Sequence, residues 1–157
     1  EYVSTRFSGQ QRAMLSFTSF FTFLCFFAGN GLASAKYYCV IKDGVNLRSG
    51  PARDTQVIYQ LPAGYPLLLL EQKKTWLKVS DYEGDKGWIE QSMVNESPHV
   101  IVKVRQAKVR KEPNTKSAEV GTANKEVILL RVGKSGEWVK VSHPDLSGWV
   151  QRDLIWP

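Results

Sequence analysis

Residues suited to the chemistry of a cysteine–histidine hydrolase are scarce beyond residue 35 of this 157-residue chain. They comprise one cysteine, Cys39, and two histidines, His99 and His143. A cysteine nucleophile needs a depressed thiol pKa and a base held close to it. Bulky apolar residues flank Cys39 and no basic residue adjoins it, so we interpret it as a small buried hydrophobe. The sequence therefore predicts a protein that is not an enzyme.

Carboxylates cluster at Asp81, Glu83 and Asp85. A calcium loop of the helix-loop-helix type needs a glycine and a distant glutamate at set positions, and this segment lacks that pattern. A zinc site needs several histidine, cysteine or carboxylate ligands brought together. We interpret the cluster as a solvated hairpin loop, and we expect neither a metal nor another cofactor.

The first 35 residues have the pattern of a cleavable signal peptide. Arg6 and Arg12 precede an apolar run over residues 15–28, and residues 33–35 are small, as a signal peptidase requires. The run is shorter than the ~20 residues of a spanning helix, which makes a retained anchor the weaker alternative. We therefore expect an exported protein, periplasmic or extracellular.

Two details of this leader have alternatives. Met14 is a possible true start, which would make residues 1–13 an over-extended reading frame. Lipid attachment at Cys25 is disfavoured, because that cysteine lies inside the apolar run rather than at its end. With cleavage after Ala35, the remaining chain keeps one cysteine and cannot form an internal disulfide.

An internal repeat of about 60 residues organises the rest of the chain. The matching segments are 45–51 with 107–113, 67–70 with 129–132, 76–80 with 138–142, 87–89 with 148–150, and 93–94 with 154–155. Several anchors in one order, with a single residue lost in a loop, indicate two copies of one structural unit. We expect domains at residues 36–97 and 98–157, here called the first and the second repeat.

Each repeat is predicted to consist of short strands separated by turns. The predicted strands are 38–41, 45–48, 57–61, 66–71, 76–80 and 87–89, then 100–104, 108–110, 127–132, 138–142 and 148–151. The pair Asp43-Gly44 is typical of a two-residue hairpin turn. Single helical turns are expected at 91–93 and 152–154. Because open edges and a one-sided core are marginal at this size, the sequence predicts two closed barrels, or tight pairs of sheets.

This order of elements resembles the bacterial Src-homology-3 (SH3) domain family. The residues that carry the resemblance are Asn46, Arg48, Gly50, Pro51, Trp76, Lys78, Val79, Gly84, Gly87, Trp88, Ile89 and Val94. The second repeat departs from the pattern, with Lys108 in place of Asn46 and Glu112 in place of Gly50. The resemblance implies an all-β fold of two small SH3-like barrels in tandem, and recognition of cell-wall peptidoglycan or of envelope peptides and proteins.

A small barrel can present a groove between loops, lined by aromatic and polar side chains. In the first repeat the candidate ligand-binding residues are Arg48, Tyr59, Tyr65, Asp81 and Tyr82. Tyr82, at a loop tip between charged residues, is the aromatic residue that a core explains least. Arg48 is suited to pairing with a carboxylate, or alternatively to bracing the loop that follows it. The recurring tryptophans fit barrel packing better than ligand contact.

Charge distinguishes the repeats, since residues 36–97 are neutral and residues 98–157 carry eleven Lys/Arg against six Asp/Glu. The expected basic patch comprises Lys103, Arg105, Lys108, Arg110 and Lys111. Strand alternation would place Lys103 with Arg105, and Lys108 with Arg110, on shared faces. Such a patch attracts polyanions, or else keeps exposed strands soluble. After export we expect no nucleic-acid partner, and membrane contact only through the leader or weak electrostatics.

These observations together predict a non-catalytic pair of exported binding modules for peptidoglycan or an envelope protein. One alternative is a scaffold that grips an envelope protein by adding a strand or holding an extended peptide. Another is an accessory subunit of a wall hydrolase.

Overall fold

The structure, a computed structural model, describes residues 34–157. The expected signal peptide, with Met14 and Cys25, lies outside the described residues except for its last two positions. The described residues belong to one compact unit. Within the described part, no helix has the length and hydrophobicity needed to cross a membrane.

The first repeat forms a seven-stranded antiparallel sheet. Segments that alternate buried with more exposed side chains, such as 45–48 and 86–90, form strands that turn one face to the core. Its strands are β1 (Tyr37–Val40), β2 (Val45–Arg48), β3 (Val57–Leu61), β4 (Pro66–Lys73), β5 (Trp76–Ser80), β6 (Lys86–Glu90) and β7 (Val94–Asn95). They are ordered β3-β2-β6-β5-β4-β1-β7. A 3₁₀ turn at Gln91–Met93, where a helical turn was expected, joins β6 to β7.

The second repeat forms an equivalent seven-stranded sheet. Its strands are β8 (His99–Val102), β9 (Gln106–Arg110), β10 (Glu119–Asn124), β11 (Ile128–Ser135), β12 (Trp138–His143), β13 (Leu146–Gln151) and β14 (Ile155–Trp156). The order β10-β9-β13-β12-β11-β8-β14 is that of the first sheet shifted by seven strands. A 3₁₀ turn at Arg152–Leu154 again precedes the last strand.

The prediction of closed barrels is wrong, although the all-β architecture of two sheets is confirmed. In each sheet one edge strand, β3 or β10, pairs on one side only. The other edge is a two-residue strand, β7 or β14, which reaches only β1 or β8. So short a strand cannot also bridge to the opposite edge, and the ladder therefore stays open.

The hairpin expected at Asp43-Gly44 is also wrong. A turn does form there, with Gly44 at a φ of +74°. However, β1 pairs with β4 and β7, while β2 pairs with β3 and β6. The Asp43 carboxylate instead accepts a hydrogen bond from the backbone N–H of Ala63 at 2.8 Å, so the turn is tied to the loop after β3.

Each sheet covers its own core of aliphatic side chains. The first core comprises Val40, Val45, Leu47, Leu61, Leu67, Leu77, Val79 and Ile89. The second comprises Val100, Val102, Ala107, Val109, Ala123, Leu129, Val139, Val141, Val150 and Ile155. The recurring tryptophans are half-buried and are not among the residues of either core.

Hydrogen bonds fix the connecting segment at the junction of the two repeats. The Cys39 thiol donates to the carbonyl of Ser97 at 3.0 Å, and the N–H of Arg131 donates to the carbonyl of Pro98 at 2.8 Å. The connection between the repeats is therefore bonded to a strand on each side. Since both sheets and both cores lie between residues 37 and 156, residues 36–157 contain all of these contacts and are expected to fold without the preceding segment.

Candidate functional site

The loop between β5 and β6 is built around the side chain of Asp81. Its Oδ1 accepts hydrogen bonds from the backbone N–H groups of Glu83 and Asp85, both at 2.9 Å. The Asp81 N–H donates to the carbonyl of Asp85 at 2.9 Å, and Gly84 supplies the φ of +91° that this tight loop requires. Asp81, a predicted ligand contact, thus holds a compact acidic loop in shape.

Three tyrosine hydroxyls donate to carboxylates at or beside this loop. Tyr59 donates to Asp85 at 2.9 Å, and Tyr65 donates to Asp81 at 3.5 Å. Tyr82 donates to Glu126 of the second repeat at 2.9 Å. We call the surface formed by Tyr59, Tyr65, Asp81, Tyr82, Asp85 and Glu126 the tyrosine–carboxylate surface.

The tyrosines of this surface remain neutral donors. Burial raises the pKa of Tyr65, and the nearby carboxylates raise it further. Burial and the hydrogen bond to Glu126 raise the pKa of Tyr82. The hydrogen bond to Asp85 raises the pKa of Tyr59, whose side chain is the most accessible of the three. The surface therefore offers aromatic faces beside fixed hydrogen-bond acceptors.

Tyr82 also joins the repeats. The Lys125 ammonium lies 5.7 Å from the centre of the Tyr82 ring and 2.7 Å from the Glu83 carboxylate. That ion pair lowers the pKa of Glu83. Glu126 has a φ of +71° and occupies the turn position that Gly64 holds in the first repeat. Sequence reasoning missed Lys125 and Glu126, although the alignment of Glu126 with a turn glycine marks it as unusual.

Arg48 lies apart from the tyrosines. Its Nη1 donates to the carbonyl of Thr55 at 2.7 Å, which braces the loop after β2. With Trp76 and Glu90 it lines a shallow pocket of about 200 Å³ that contains none of the tyrosines. Arg110 makes the same brace in the second repeat, with Nη1 2.7 Å from the carbonyl of Ser117. Of the five predicted ligand-binding residues, the structure thus brings four together and places Arg48 elsewhere.

The basic patch is divided in the structure. Lys103 and Arg105 follow β8 in a loop, so the strand alternation expected for them does not apply. Lys108 lies 2.7 Å from the Glu119 carboxylate, and Arg110 lies 3.7 Å from the same oxygen. Lys111 is exposed just beyond β9, and its N–H donates to the carbonyl of Ala118 at 2.9 Å. Glu119 therefore compensates part of the patch.

The second repeat has no tyrosine–carboxylate surface. Gly121 stands where the first repeat has Tyr59, and a Cβ built on it would lie 2.7 Å from a methyl carbon of Leu146. Val127 replaces Tyr65, and the segment His143-Pro144 replaces Asp81-Tyr82. Apolar packing thus takes the place of the phenol–carboxylate contacts.

Cys39 is not placed as a nucleophile. It is 2% exposed, and burial raises the pKa of its thiol. The thiol donates to a backbone carbonyl, while the Nδ1 of His99 is 2.9 Å from the Ser97 hydroxyl. Among residues 34–157 no group of three or more His, Cys, Asp or Glu side chains is arranged to hold a metal ion.

Comparison with known proteins agrees with the sequence resemblance. A curated relative, described as a putative N-acetylmuramoyl-L-alanine amidase from Bacillus subtilis (strain 168), is 22% identical over 127 residues. The match covers 74% of this chain and 24% of that protein, so the chain spans about a quarter of its length.

Two solved structures show limited similarity. One is NlpC2 from Trichomonas vaginalis, at 14% identity and a TM-score of 0.36, covering 79% of this chain and 48% of that one. The other is an NlpC/P60 family protein from Bacillus cereus ATCC 10987, at 13% identity and a TM-score of 0.36, covering 77% of this chain and 56% of that one.

The family models account for both sheets. Two of them, each described as a bacterial SH3 domain, match residues 41–96 and residues 105–155. These ranges contain most strands of the first and of the second sheet. The chain therefore belongs to the bacterial SH3 domain family and carries two such domains in tandem.

Proposed function

We propose that the chain is an exported, cell-wall-associated pair of non-catalytic modules, and that the first repeat binds peptidoglycan through the tyrosine–carboxylate surface. In this proposal residues 1–35 are the signal peptide, and residues 36–97 and 98–157 are the two domains. Membership of the bacterial SH3 family and the amidase named for the curated relative support an association with the wall.

The observation that carries the ligand proposal is the set of three tyrosine hydroxyls, all from the first repeat, that donate to carboxylates. Aromatic faces stack on sugar rings, and carboxylates accept hydrogen bonds from hydroxyl, amide and ammonium groups. Peptidoglycan presents all of these groups. Tyr59, which is 45% exposed, is the most accessible of the three tyrosines.

Co-sedimentation of residues 36–157 with purified peptidoglycan sacculi, at low and at roughly physiological salt, tests the proposal. We expect retention that persists at the higher salt, because exposed charge alone is screened there. The variant Tyr59→Ala should lose most of that retention. Val120→Ala is the matched control, since Val120 is also 45% exposed and lies on β10, the equivalent edge strand.

The outcomes distinguish recognition through the tyrosines from wall contact through general positive charge. Retention only at low salt would assign wall contact to general positive charge and contradict a tyrosine-based site. Equal losses for Tyr59→Ala and Val120→Ala would contradict it as well. No retention at either salt would exclude peptidoglycan as the ligand.

One observation favours a second function, the capture of an envelope protein by strand addition. The outer edge of β3 is unpaired, and Val57 and Ile58 are each 39% exposed there. Such an edge is a template for an incoming strand. Hydrogen exchange would detect it as protection of the β3 amides by an envelope extract, and Ile58→Lys should remove that protection. Unchanged exchange of β3 would exclude this mode.

A further inference from the structure

A groove of about 840 Å³ runs between the two repeats, on a surface that the proposed peptidoglycan site does not use. Its lining residues include Lys36 and Tyr37 of the first repeat, the connecting residues 96–98, and Arg131, Lys134, Arg152 and Pro157 of the second. None of the tyrosines in the tyrosine–carboxylate surface contributes to it.

The groove is strongly cationic. Its lining contains four Lys or Arg side chains but only one acidic side chain, that of Glu96. Lys36 lies 2.7 Å from Glu96, so these two charges compensate each other. Within residues 34–157, no carboxylate lies within 4.0 Å of the charged groups of Arg131, Lys134 or Arg152. Three uncompensated positive charges therefore share one concavity.

The first repeat has uncharged side chains at the positions equivalent to Lys134 and Arg152. There Gln72 donates from its amide to the Gln91 side chain at 3.2 Å. Lys134 and Arg152 occupy the same two places in the second sheet. Gln72 pairs with Leu77 as Lys134 pairs with Val139.

Gln91 and Arg152 are also equivalent, because their backbone N–H groups make matching hydrogen bonds. The Gln91 N–H donates to the carbonyl of Thr75 at 2.8 Å, and the Arg152 N–H donates to that of Glu137 at 2.9 Å. A neutral amide pair has thus been replaced by two like charges. Arg131 likewise stands where the first repeat has Leu69, at the residue before the register shift of its strand.

Neighbouring like charges on a sheet are destabilising. A cluster of positive charges without acidic partners in the fold is suited to binding an external anion. The bound anion removes the repulsion between the positive charges. Arginine also presents a planar fork of donors that matches carboxylate and phosphate oxygens. The concave shape admits a single chain or a small polyanion rather than a flat membrane.

We propose that this groove binds a soluble polyanion carrying two or more phosphate or carboxylate groups, held by Arg131, Lys134 and Arg152. The proposal does not depend on the tyrosine–carboxylate surface, because the two sites share no residue.

Calorimetric titration of residues 36–157 with inorganic tripolyphosphate, and separately with citrate, tests this inference at roughly physiological salt. The informative variant is Lys134→Gln/Arg152→Gln, which installs the amide pair of the first repeat. Its matched control is Lys103→Gln/Arg105→Gln, which removes the same charge from an exposed loop outside the groove. We expect the groove variant to weaken binding about tenfold or more and the control to weaken it less than about twofold, since the control charges act only at a distance.

The thermal midpoint provides a second measurement. Without ligand, Lys134→Gln/Arg152→Gln should melt at or above the temperature of the parent chain, because two of the uncompensated positive charges in the groove are removed. Addition of tripolyphosphate should raise the midpoint of the parent and of the control variant but hardly that of the groove variant. Arg131→Leu, which copies Leu69, should reduce binding independently.

The two anions also identify the recognised group. Tighter binding of tripolyphosphate assigns the groove to phosphate, and tighter binding of citrate assigns it to carboxylate. Equal weakening by the groove and control variants would overturn the proposal in favour of net charge, as would binding of neither anion by the parent chain. Sacculus retention that depends on Tyr59 would be unaffected by either failure.

Discussion

In the first repeat the Tyr59 hydroxyl contacts Asp85, whereas at the same place in the second repeat Leu146 lies against Gly121. The strand order, the register shifts and the arginine brace are shared. The fold therefore accommodates either a polar or an apolar contact between the edge strand, β3 or β10, and the segment that contains Asp85 or Leu146. The two repeats therefore differ in the side chains at this position and not in the fold.

The positions of the groove cations differ in the opposite direction. The first repeat has the neutral pair Gln72 and Gln91 at the positions equivalent to Lys134 and Arg152 of the second. Each repeat thus carries one distinctive polar surface and a neutral counterpart of the other. Tandem duplication allows this division because each copy keeps its own core.

The largest expected effect compares two equivalent glycines. A Cβ at Gly148 would lie 2.6 Å from the backbone oxygen of Arg110, whereas a Cβ at Gly87 would lie 2.6 Å from the side chain of Leu47 and 3.0 Å from the backbone oxygen of Arg48. Backbone yields less easily than a side chain. We expect Gly148→Ala to lower the free energy of unfolding by about 3 kcal/mol and Gly87→Ala by about 1–2 kcal/mol.

Urea unfolding followed by tryptophan fluorescence measures both variants. A larger loss for Gly87→Ala would show that the first repeat is the more tightly packed of the two, contrary to this comparison.

The next largest effect tests the arginine brace that both repeats share. Arg48→Ala and Arg110→Ala each leave a loop carbonyl without its charged donor. Each should lower the free energy of unfolding by about 1.5 kcal/mol. Hydrogen exchange should become faster at the amides of Ser49 and Lys111, which bond within the braced loops. If only Arg48→Ala also abolished sacculus retention, Arg48 would belong to the binding surface as well as to the brace.

A smaller effect concerns the contact between the repeats. Glu126 holds a left-handed backbone, with a φ of +71°, that costs a non-glycine residue about 1 kcal/mol. Glu126→Gly removes that cost but also loses the hydrogen bond from Tyr82, so its net effect should be near zero. In the Tyr82→Phe background the same substitution should stabilise by about 1 kcal/mol. Equal effects in both backgrounds, measured by a double-mutant cycle, would show that the Tyr82–Glu126 contact contributes nothing.

The smallest effect is a pH dependence centred on His99. Burial lowers the pKa of His99 below its ordinary value of 6.5, so the unfolded chain takes up this proton first as the pH falls. The free energy of unfolding should therefore decrease between about pH 7 and about pH 5. The carboxylates of Glu83, Glu90 and Glu119, whose pKa values are lowered, lose their contribution only at more acidic pH.

Thermal melts at the two pH values provide the measurement. His99→Gln should flatten the decrease, and His143→Gln, at the end of β12 in the second repeat, is the control. A decrease that survives His99→Gln would assign it to another group.

Strands with regular alternation were predictable from sequence, and those without it were not. β2 buries Val45 and Leu47 and was placed at its observed bounds. β10 was missed because only Ala123 of its six residues is buried, which leaves no alternating pattern. The turn at Gly44 was recognised, but its hairpin was not formed, since turn chemistry is local and strand pairing is not.

The candidate site likewise contains residues that the sequence could identify and residues that it could not. A tyrosine at a loop tip between charged residues, Tyr82, was identifiable as unexplained by a core. Its partner Glu126 lies 44 residues away in the chain, so only the docking of the repeats reveals the contact. The cations Arg131, Lys134 and Arg152 were missed because they are dispersed along the sequence and converge only in the groove.

One property of the groove extends beyond its charge. Ala35 and Pro157 both line it, and the ring of Tyr37 meets that of Trp156 edge-on, with centroids 5.4 Å apart. The two ends of the described part therefore emerge side by side. Domains with adjacent ends tolerate circular permutation and insertion into the loops of other proteins. This tandem pair is accordingly a unit that can be spliced into a longer polypeptide at one point, without separating the segments on either side of it.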